Sequence, residues 1–187
     1  LELVDPALFA APPWALTLGP EVVDLCTDAG YEPDPEQALA LDVLFAENEH
    51  GLPSVFEFAA ICARQNMKTG LFKQAALGWL FVTEEHRIAW SAHEFDTARE
   101  SFTDLVEIIE STPMMSKRLA PGTAGGIFTA RGSEAIELAS GARIKFKART
   151  KSGSRGLTGD KTVLDEAFAL DKSHMGAVMP IMSTRPT

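Results

Sequence analysis

The chain has 187 residues, of which 45% are hydrophobic and 23% charged, and its formal net charge is −9. This composition predicts a folded domain and excludes an intrinsically disordered chain. No apolar run approaches the ~20 residues that span a membrane, the first residues lack a secretory signal pattern, and the two cysteines show neither a disulfide framework nor zinc-ligand spacing. We therefore expect a protein of a reducing cytoplasm with no membrane partner. Because the chain begins without Met, we also expect a fragment of a longer protein.

The charge is distributed unevenly along the chain. Residues 1–58 contain twelve acidic and no basic residues, whereas residues 117–161 contain ten basic and three acidic ones. A global acidic balance therefore does not exclude an anionic partner for the basic part. Alternatively, the acidic and basic parts meet between subunits of a ring.

The predicted elements alternate between helices and strands. An acidic, proline-rich N-terminal segment, 1–34, is expected to pack on the outside, and Pro35 then opens a helix that continues to residue 49. Further along we predict a buried strand at 54–61, a helix at 71–82, a strand at 86–92, an amphipathic helix at 94–110, strand-like runs at 126–131, 134–139 and 143–149, a strand at 161–167 and a broken helix at 173–182. Ser140-Gly141 predicts a hairpin. This order predicts an α/β fold with a mostly parallel central sheet flanked by helices and an antiparallel hairpin elaboration.

A candidate phosphate-binding loop lies between the predicted strand at 54–61 and the following helix. In such loops the backbone N–H groups and a helix N-terminus hold phosphates, a lysine reaches the β and γ phosphates, and a hydroxyl ligates magnesium. Lys68 and Thr69 have that order, although Cys62 and Met67 stand where the common pattern has glycine. The alternative is an ordinary strand-to-helix turn with a surface lysine.

A second candidate is the run Thr162 to Ala167. Nucleotide hydrolysis uses one carboxylate at the end of a buried strand to hold magnesium and another to activate water. Asp165 fits the first role and Glu166 the second; the alternative is a solvated Asp-Glu pair. Because both candidates lie at the end of a predicted strand, together they predict a P-loop NTPase.

These segments resemble the ATPase domain of tailed-phage terminase large subunits. The resemblance rests on Arg64-Gln65 early in the loop, on the run 154–167, on Gln37 in the run 32–37 that leads into the first predicted helix, and on the run 182–186. It covers residues 31–187 and implies one RecA-like (ASCE) P-loop domain, 1–187, that hydrolyses ATP to move double-stranded DNA into a procapsid. The family's C-terminal nuclease domain is expected to be absent from this chain.

The resemblance also implies a role for individual residues. Gln37 would sense adenine, and Arg64, Gln65, Asn66, Met67, Lys68 and Thr69 would hold ATP. Thr69 and Asp165 would hold Mg²⁺, Glu166 would activate water, Arg64 would contact the γ-phosphate in cis, Arg155 would act as an arginine finger on a neighbouring subunit, and Ser183 and Thr184 would couple hydrolysis to movement. Two of these roles have plain alternatives: an ion pair with the N-terminal acids for Arg64, and a solvated loop position for Arg155.

The implied partners are those of a packaging motor. They are double-stranded DNA, the portal of the procapsid, the small terminase subunit and further copies in a homo-oligomeric ring, all in the host cytoplasm at the portal. For the isolated chain we expect a monomer with weak ATPase activity.

A strictly alternating basic run follows the predicted hairpin. Its cations are Arg143, Lys145, Lys147, Arg149 and Lys151, and a period of two places all five on one face of a strand. A solvated hairpin face explains the pattern fully; the functional alternative is a contact with DNA or with another subunit.

Two other functions fit the same motifs. One is an ATPase lobe of a nucleic-acid helicase, for which a second lobe would be required. The other is a degenerate P-loop module that binds DNA or forms rings without hydrolysing ATP, which Met67 favours because glycine there lets the backbone approach phosphate.

Overall fold

The computed structural model describes residue 6 and residues 8–61, 68–148 and 159–167, with backbone only at 68 and 69. In these ranges the elements are β1 (Leu16–Thr17), α1 (Gly19–Asp28), α2 (Pro35–Leu44), β2 (Ala46–Glu47), α3 (Lys68–Phe81), β3 (Ile88–Ala92), α4 (Phe95–Ser111), α5 (Pro113–Ser116), β4 (Ile127–Phe128), β5 (Ala135–Glu137), β6 (Arg143–Ala148) and β7 (Lys161–Leu164). The chain divides into two compact units, Leu1–Gly78 and Trp79–Thr187. No helix in the described ranges is long and apolar enough to cross a membrane.

The first unit contains a helix, α1, that the sequence pattern did not predict. Val22 and Cys26 are fully buried, so the expectation that the N-terminal segment packs on the outside is wrong for this stretch. Their spacing of four residues, with Leu25 between them, forms a short apolar stripe that packs on α2. The stripe is inconspicuous in the sequence because acidic and proline residues surround it. Burial raises the pKa of the Cys26 thiol to about 12, which makes it a packing residue and not a nucleophile.

Helix α2 begins at Pro35, as predicted, but ends at Leu44 and not at residue 49. At its start, the side chain of Asp34 accepts a hydrogen bond from the backbone N–H of Gln37, and the side chain of Gln37 accepts one from the backbone N–H of Asp34. This is a capping box. The helix ends early because Ala46–Glu47 pairs with Leu16–Thr17 as a two-stranded antiparallel ribbon.

The strand predicted at 54–61 is wrong. These residues lie outside any helix or strand, and the side chains of Phe56 and Ile61 are 74% and 98% exposed. An apolar run becomes a buried strand only where neighbouring strands offer backbone partners. In the described residues of the first unit the only strand ladder is the ribbon of β1 and β2.

Helix α3 confirms the helix predicted at 71–82, although it begins three residues earlier, at Lys68, and it crosses the boundary between the two units. Gly78 allows close packing in the first unit, because a Cβ atom there would come within 2.6 Å of Cζ of Phe45 and 2.7 Å of Cγ2 of Val22. Its leucines, Leu71, Leu77 and Leu80, are fully buried.

The second unit is built on a five-stranded sheet with the order β4-β5-β6-β3-β7. Strand β3 runs parallel to both β6 and β7, whereas β4, β5 and β6 are antiparallel to their neighbours. The sheet is therefore mixed in the described residues, not mostly parallel as predicted. The hairpin prediction is confirmed: β5 and β6 are joined through Gly141, which has a φ of 91°.

Helix α4 covers one face of this sheet, as its amphipathic pattern predicts. The ring of Phe102 contacts that of Phe146 edge-on at 5.4 Å between centroids, and Phe146 lies 5.8 Å from Trp90 on β3. Trp90, Leu105 and Ile109 are fully buried. These side chains form the core of the second unit.

Candidate functional site

The carboxyl ends of three parallel strands meet at one edge of the sheet in the second unit. Strand β7 ends at Leu164, and Asp165 follows it directly. The backbone N–H of Asp165 donates a hydrogen bond to the carbonyl of Ser91 on β3 at 2.9 Å, and only 5% of Asp165 is exposed. Ligands of α/β proteins bind at this kind of edge.

The backbone turns sharply at the next residue. Glu166 has a φ of 54°, which lies in the left-handed region of the backbone that residues other than glycine rarely adopt. Oδ1 of Asp165 accepts a hydrogen bond from the backbone N–H of Glu166 at 2.9 Å and so holds the turn. Strained, non-glycine turns of this type are enriched at functional sites. The arrangement places a buried carboxylate beside a half-exposed one.

In the first unit, Gln37 lies against the first turn of α3. A Cβ atom on Gly70 would come within 2.7 Å of Nε2 of Gln37 and 3.4 Å of the hydroxyl of Tyr31. Oε1 of Gln37 accepts hydrogen bonds from the backbone N–H of Asp34 and from Nε2 of Gln74, at 2.9 and 3.1 Å. The first of these donors is a backbone N–H, which fixes the orientation of the amide. The structure therefore brings Gln37 to the start of the helix that carries Lys68 and Thr69.

Sequence reasoning missed two residues around Gln37, namely Tyr31 and Gln74. Tyr31 lies beside Gln37, with Nζ of Lys73 5.8 Å from its ring centroid, and Gln74 orients the Gln37 amide. The sequence contains the signal for the capping box, because Asp34 and Gln37 are three positions apart at the start of a predicted helix. Gln74 and Tyr31 carry no comparable signal, because only the packing of α3 on α2 brings them there.

Several predicted site residues lie outside the described ranges. They are the loop residues Arg64, Gln65, Asn66 and Met67, the finger candidate Arg155, the coupling candidates Ser183 and Thr184, and the basic residues Arg149 and Lys151; the helix predicted at 173–182 lies outside as well. For Lys68 and Thr69 the structure gives the backbone, which forms the first turn of α3. Gln37 and Lys68 belong to the first unit, and Asp165 and Glu166 to the second. Their convergence stays a prediction.

The predicted basic face is present on β6. Arg143, Lys145 and Lys147 are half-buried and alternate with Ile144 and Phe146, which are buried. Since Phe146 contacts α4, the three cations lie on the opposite face of the sheet.

No cluster of three or more histidine, cysteine, aspartate or glutamate side chains in the described ranges is arranged to hold a metal ion. Asp165 and Glu166 supply two carboxylates, the hard oxygen ligands that Mg²⁺ prefers. The hydroxyl of Thr69, the other ligand implied by the resemblance, lies on a side chain outside the described atoms.

No family model matches this chain, and a search of curated proteins found no match. A structural comparison finds the large terminase of bacteriophage HK97 with a TM-score of 0.71, at 19% sequence identity. The match covers 91% of this chain and 36% of the terminase, so this chain spans about a third of that protein's length. At this identity the likeness concerns the fold. The chain accordingly has a fold like that of a phage terminase large subunit.

Proposed function

We propose that this chain is an ATPase domain of the RecA-like P-loop class that hydrolyses Mg-ATP to drive double-stranded DNA into a viral procapsid. The observation that carries the proposal is the pair at 165–166: a buried carboxylate and a strained, half-exposed one, at the carboxyl edge of parallel strands. The likeness to a phage large terminase supports the same reading.

In this mechanism each of the named groups has a distinct task. The first turn of α3 offers its backbone N–H groups to phosphate, Lys68 neutralises the β and γ phosphates, and Gln37 contacts the base. Arg64, Gln65, Asn66 and Met67 would complete the loop around the phosphates. Glu166 accepts a proton from the attacking water, a role for which its exposure beside a buried carboxylate is suited.

Asp165 and Thr69 would hold Mg²⁺, and the two carboxylates of the strained turn fit that ion in ligand type. When bound, the ion neutralises charge that develops on the phosphates. Arg155 would reach a neighbouring subunit as an arginine finger, and Ser183 and Thr184 would transmit the nucleotide state to the parts that grip DNA. The partners proposed for the assembled motor are DNA, the portal, the small subunit and a ring of further copies, at the portal in the host cytoplasm.

A second candidate is favoured by one observation. The apolar run at 54–61, which should form the strand before a phosphate loop, is not a strand, and Phe56 and Ile61 are exposed. A loop without that strand suits a degenerate P-loop module that contacts DNA or other copies without hydrolysing ATP.

Nucleotide titration separates the two candidates. We expect saturable, magnesium-dependent binding of a fluorescent ATP analogue by the parent protein. Replacing Lys68 by alanine should weaken it at least about tenfold, because a charge-assisted contact to phosphate contributes about 1.5–3 kcal/mol. Lys117→Ala, which removes an exposed lysine after α5, is the control and should bind as the parent does. Absence of saturable binding by the parent would leave only the second candidate.

Replacement of Gln37 by glutamate separates its structural role from base contact. Glutamate still accepts the hydrogen bond from Asp34, so the capping box and the stability of the protein should be retained. It has lost the amide donors, so the KM for ATP should rise about fivefold to tenfold. Gln37→Ala should lose both the hydrogen bond of the capping box and the amide donors, and it should lower the free energy of unfolding by about 0.5–2 kcal/mol. Chemical denaturation and steady-state hydrolysis measure the two effects; an unchanged KM in both variants would remove Gln37 from the nucleotide site.

A further inference from the structure

The basic face of β6 is larger in the structure than in the sequence. Residues 143, 145 and 147 stand about 6.6 Å apart along the strand, so their side chains form a straight row of about 13 Å. The register between β3 and β6 places a fourth cation beside these three. Since Ile88 pairs with Ile144, Arg87 lies beside Arg143, one step before that pair. We call Arg87, Arg143, Lys145 and Lys147 the basic row.

The cations of the basic row repel one another. Burial and the charges of Arg143, Lys147 and Arg87 lower the pKa of Lys145, and the charge of Glu137 opposes this shift. Oε2 of Glu137 lies 3.7 Å from Nη1 of Arg143, a long ion pair in which the side chain of Arg143 is 39% exposed and that of Glu137 is 33% exposed. Nε of Arg143 is buried, and the described residues give it no hydrogen-bond partner.

Two acids lie near Arg87 at one end of the row, and one of them contacts Arg87 itself. Asp160 accepts a hydrogen bond from the backbone N–H of Arg87 at 3.0 Å, and Glu85 pairs with Lys161 at 3.5 Å. Folding therefore gathers four cations on one side of the sheet with little compensation. Such an arrangement is unfavourable by itself and becomes favourable when an anion binds.

The shape of the row indicates which anion. A single phosphate cannot reach side chains spread over about 13 Å, whereas a chain of regularly spaced phosphates can contact them one after another. Among the described acidic residues before residue 58, the exposed Glu21, Asp24 and Asp28 on α1 form a line of about 10 Å. It offers three carboxylates for the four cations of the row, so a second copy of this chain is the competing occupant. We infer that the basic row binds the phosphodiester backbone of nucleic acid, with one phosphate contact for each cation. The claim that the row guides DNA through a packaging motor rests on the proposed function. The claim that the row binds the backbone of nucleic acid does not.

Fluorescence anisotropy with a short DNA duplex, without nucleotide, tests this inference. For three or four contacts the plot of log Kobs against log salt should have a slope of about −2.7 to −3.6. Lys145→Gln should reduce the steepness by about 1 and weaken binding about fivefold to tenfold near 0.1 M salt. Repeating the experiment with duplexes of unrelated sequence should give the same loss, because backbone contacts carry no sequence information.

Arg99→Gln is the matched control. Arg99 is an exposed cation on α4, which covers the opposite face of the sheet, so its removal changes the net charge equally and should leave the slope unchanged. Lys145→Gln should also raise the midpoint of chemical denaturation, because it removes a charge that the folded state disfavours. Loss of binding with a gain in stability cannot result from misfolding.

Three outcomes distinguish the alternatives. If Lys145→Gln and Arg99→Gln weaken DNA binding equally, or neither does, the inference is wrong. If Lys145→Gln leaves DNA binding unchanged and reduces self-association in sedimentation, the row is a subunit contact and the inference is wrong. If the parent binds DNA with the expected slope but never hydrolyses ATP, the inference holds and the motor proposal fails.

Discussion

Replacing Glu166 by glutamine should lower the turnover number for ATP about 10²–10⁴-fold, the usual contribution of a positioned general base. The amide is nearly isosteric and cannot accept a proton from water, so the affinity for the fluorescent ATP analogue should stay within about twofold. Single-turnover hydrolysis measures the first quantity and titration the second. Parent-like turnover by Glu166→Gln would contradict the role assigned to this residue.

The backbone at this position provides a second, independent test. Because Glu166 has a positive φ, Glu166→Gly should relieve about 1 kcal/mol of strain. The glycine variant should thus be at least as stable as the parent and as inactive as the glutamine variant. A merely structural glutamate would not give this combination, since a stabilised protein would keep its activity.

The second unit offers a control for that experiment. Glu84 also has a positive φ, of 51°, and lies in the loop after α3, where its carboxylate pairs with Arg118 at 2.5 Å. In Glu84→Gly the relief of strain and the loss of a partly exposed ion pair should nearly cancel. Hydrolysis should be unaffected. If both glycine variants lose activity together, the effect arises from the fold and not from the chemistry of Glu166.

Replacing Trp90 by alanine should lower the free energy of unfolding by about 3–5 kcal/mol, the range for large aromatic residues in a core. Trp90 is fully buried on the strand β3 that holds β6 and β7 together, and it packs on Phe146. Denaturant unfolding monitored by circular dichroism measures the change. An effect below about 1 kcal/mol would show that the sheet core is not organised around this side chain.

Two variants sharpen the interpretation of Trp90. Its Nε1 is buried, and the described ranges give it no hydrogen-bond partner, so Trp90→Phe removes an unsatisfied donor and should cost far less than Trp90→Ala. Trp14→Ala is the matched control, because Trp14 is 39% exposed and its removal should change stability by under about 1 kcal/mol.

Local sequence patterns predicted the elements that depend on residues close together in the chain or that show a clear hydrophobic period. The spacing of Ala98, Phe102, Leu105 and Ile109 identifies α4, the Ser140-Gly141 turn identifies the hairpin, and Pro35 marks the start of α2. The alternation of β6 likewise identified the face of Arg143, Lys145 and Lys147. In each case residues a few positions apart decide the outcome, so tertiary contacts did not overturn the prediction.

The errors arise where a segment depends on partners far along the chain. The run at 54–61 has the composition of a buried strand, but composition cannot supply the neighbouring strand that would pair with it. Helix α1 was missed because its three buried side chains become a core only against α2. The predicted sheet is mixed and not mostly parallel because β4 and the hairpin β5-β6, the predicted antiparallel elaboration, add two antiparallel strand pairs to the two parallel pairs of β3.

The sequence alone determined which groups are available: a lysine and a threonine just before a predicted helix, two adjacent carboxylates at the end of a predicted strand, and alternating cations. Only the tertiary structure decided that Gln37 meets the start of α3, that Glu166 occupies a strained turn and that Arg87 extends the basic row. The physical reason is that side-chain type and spacing are properties of the chain, whereas strand register, backbone strain and burial depend on which distant segments pack together.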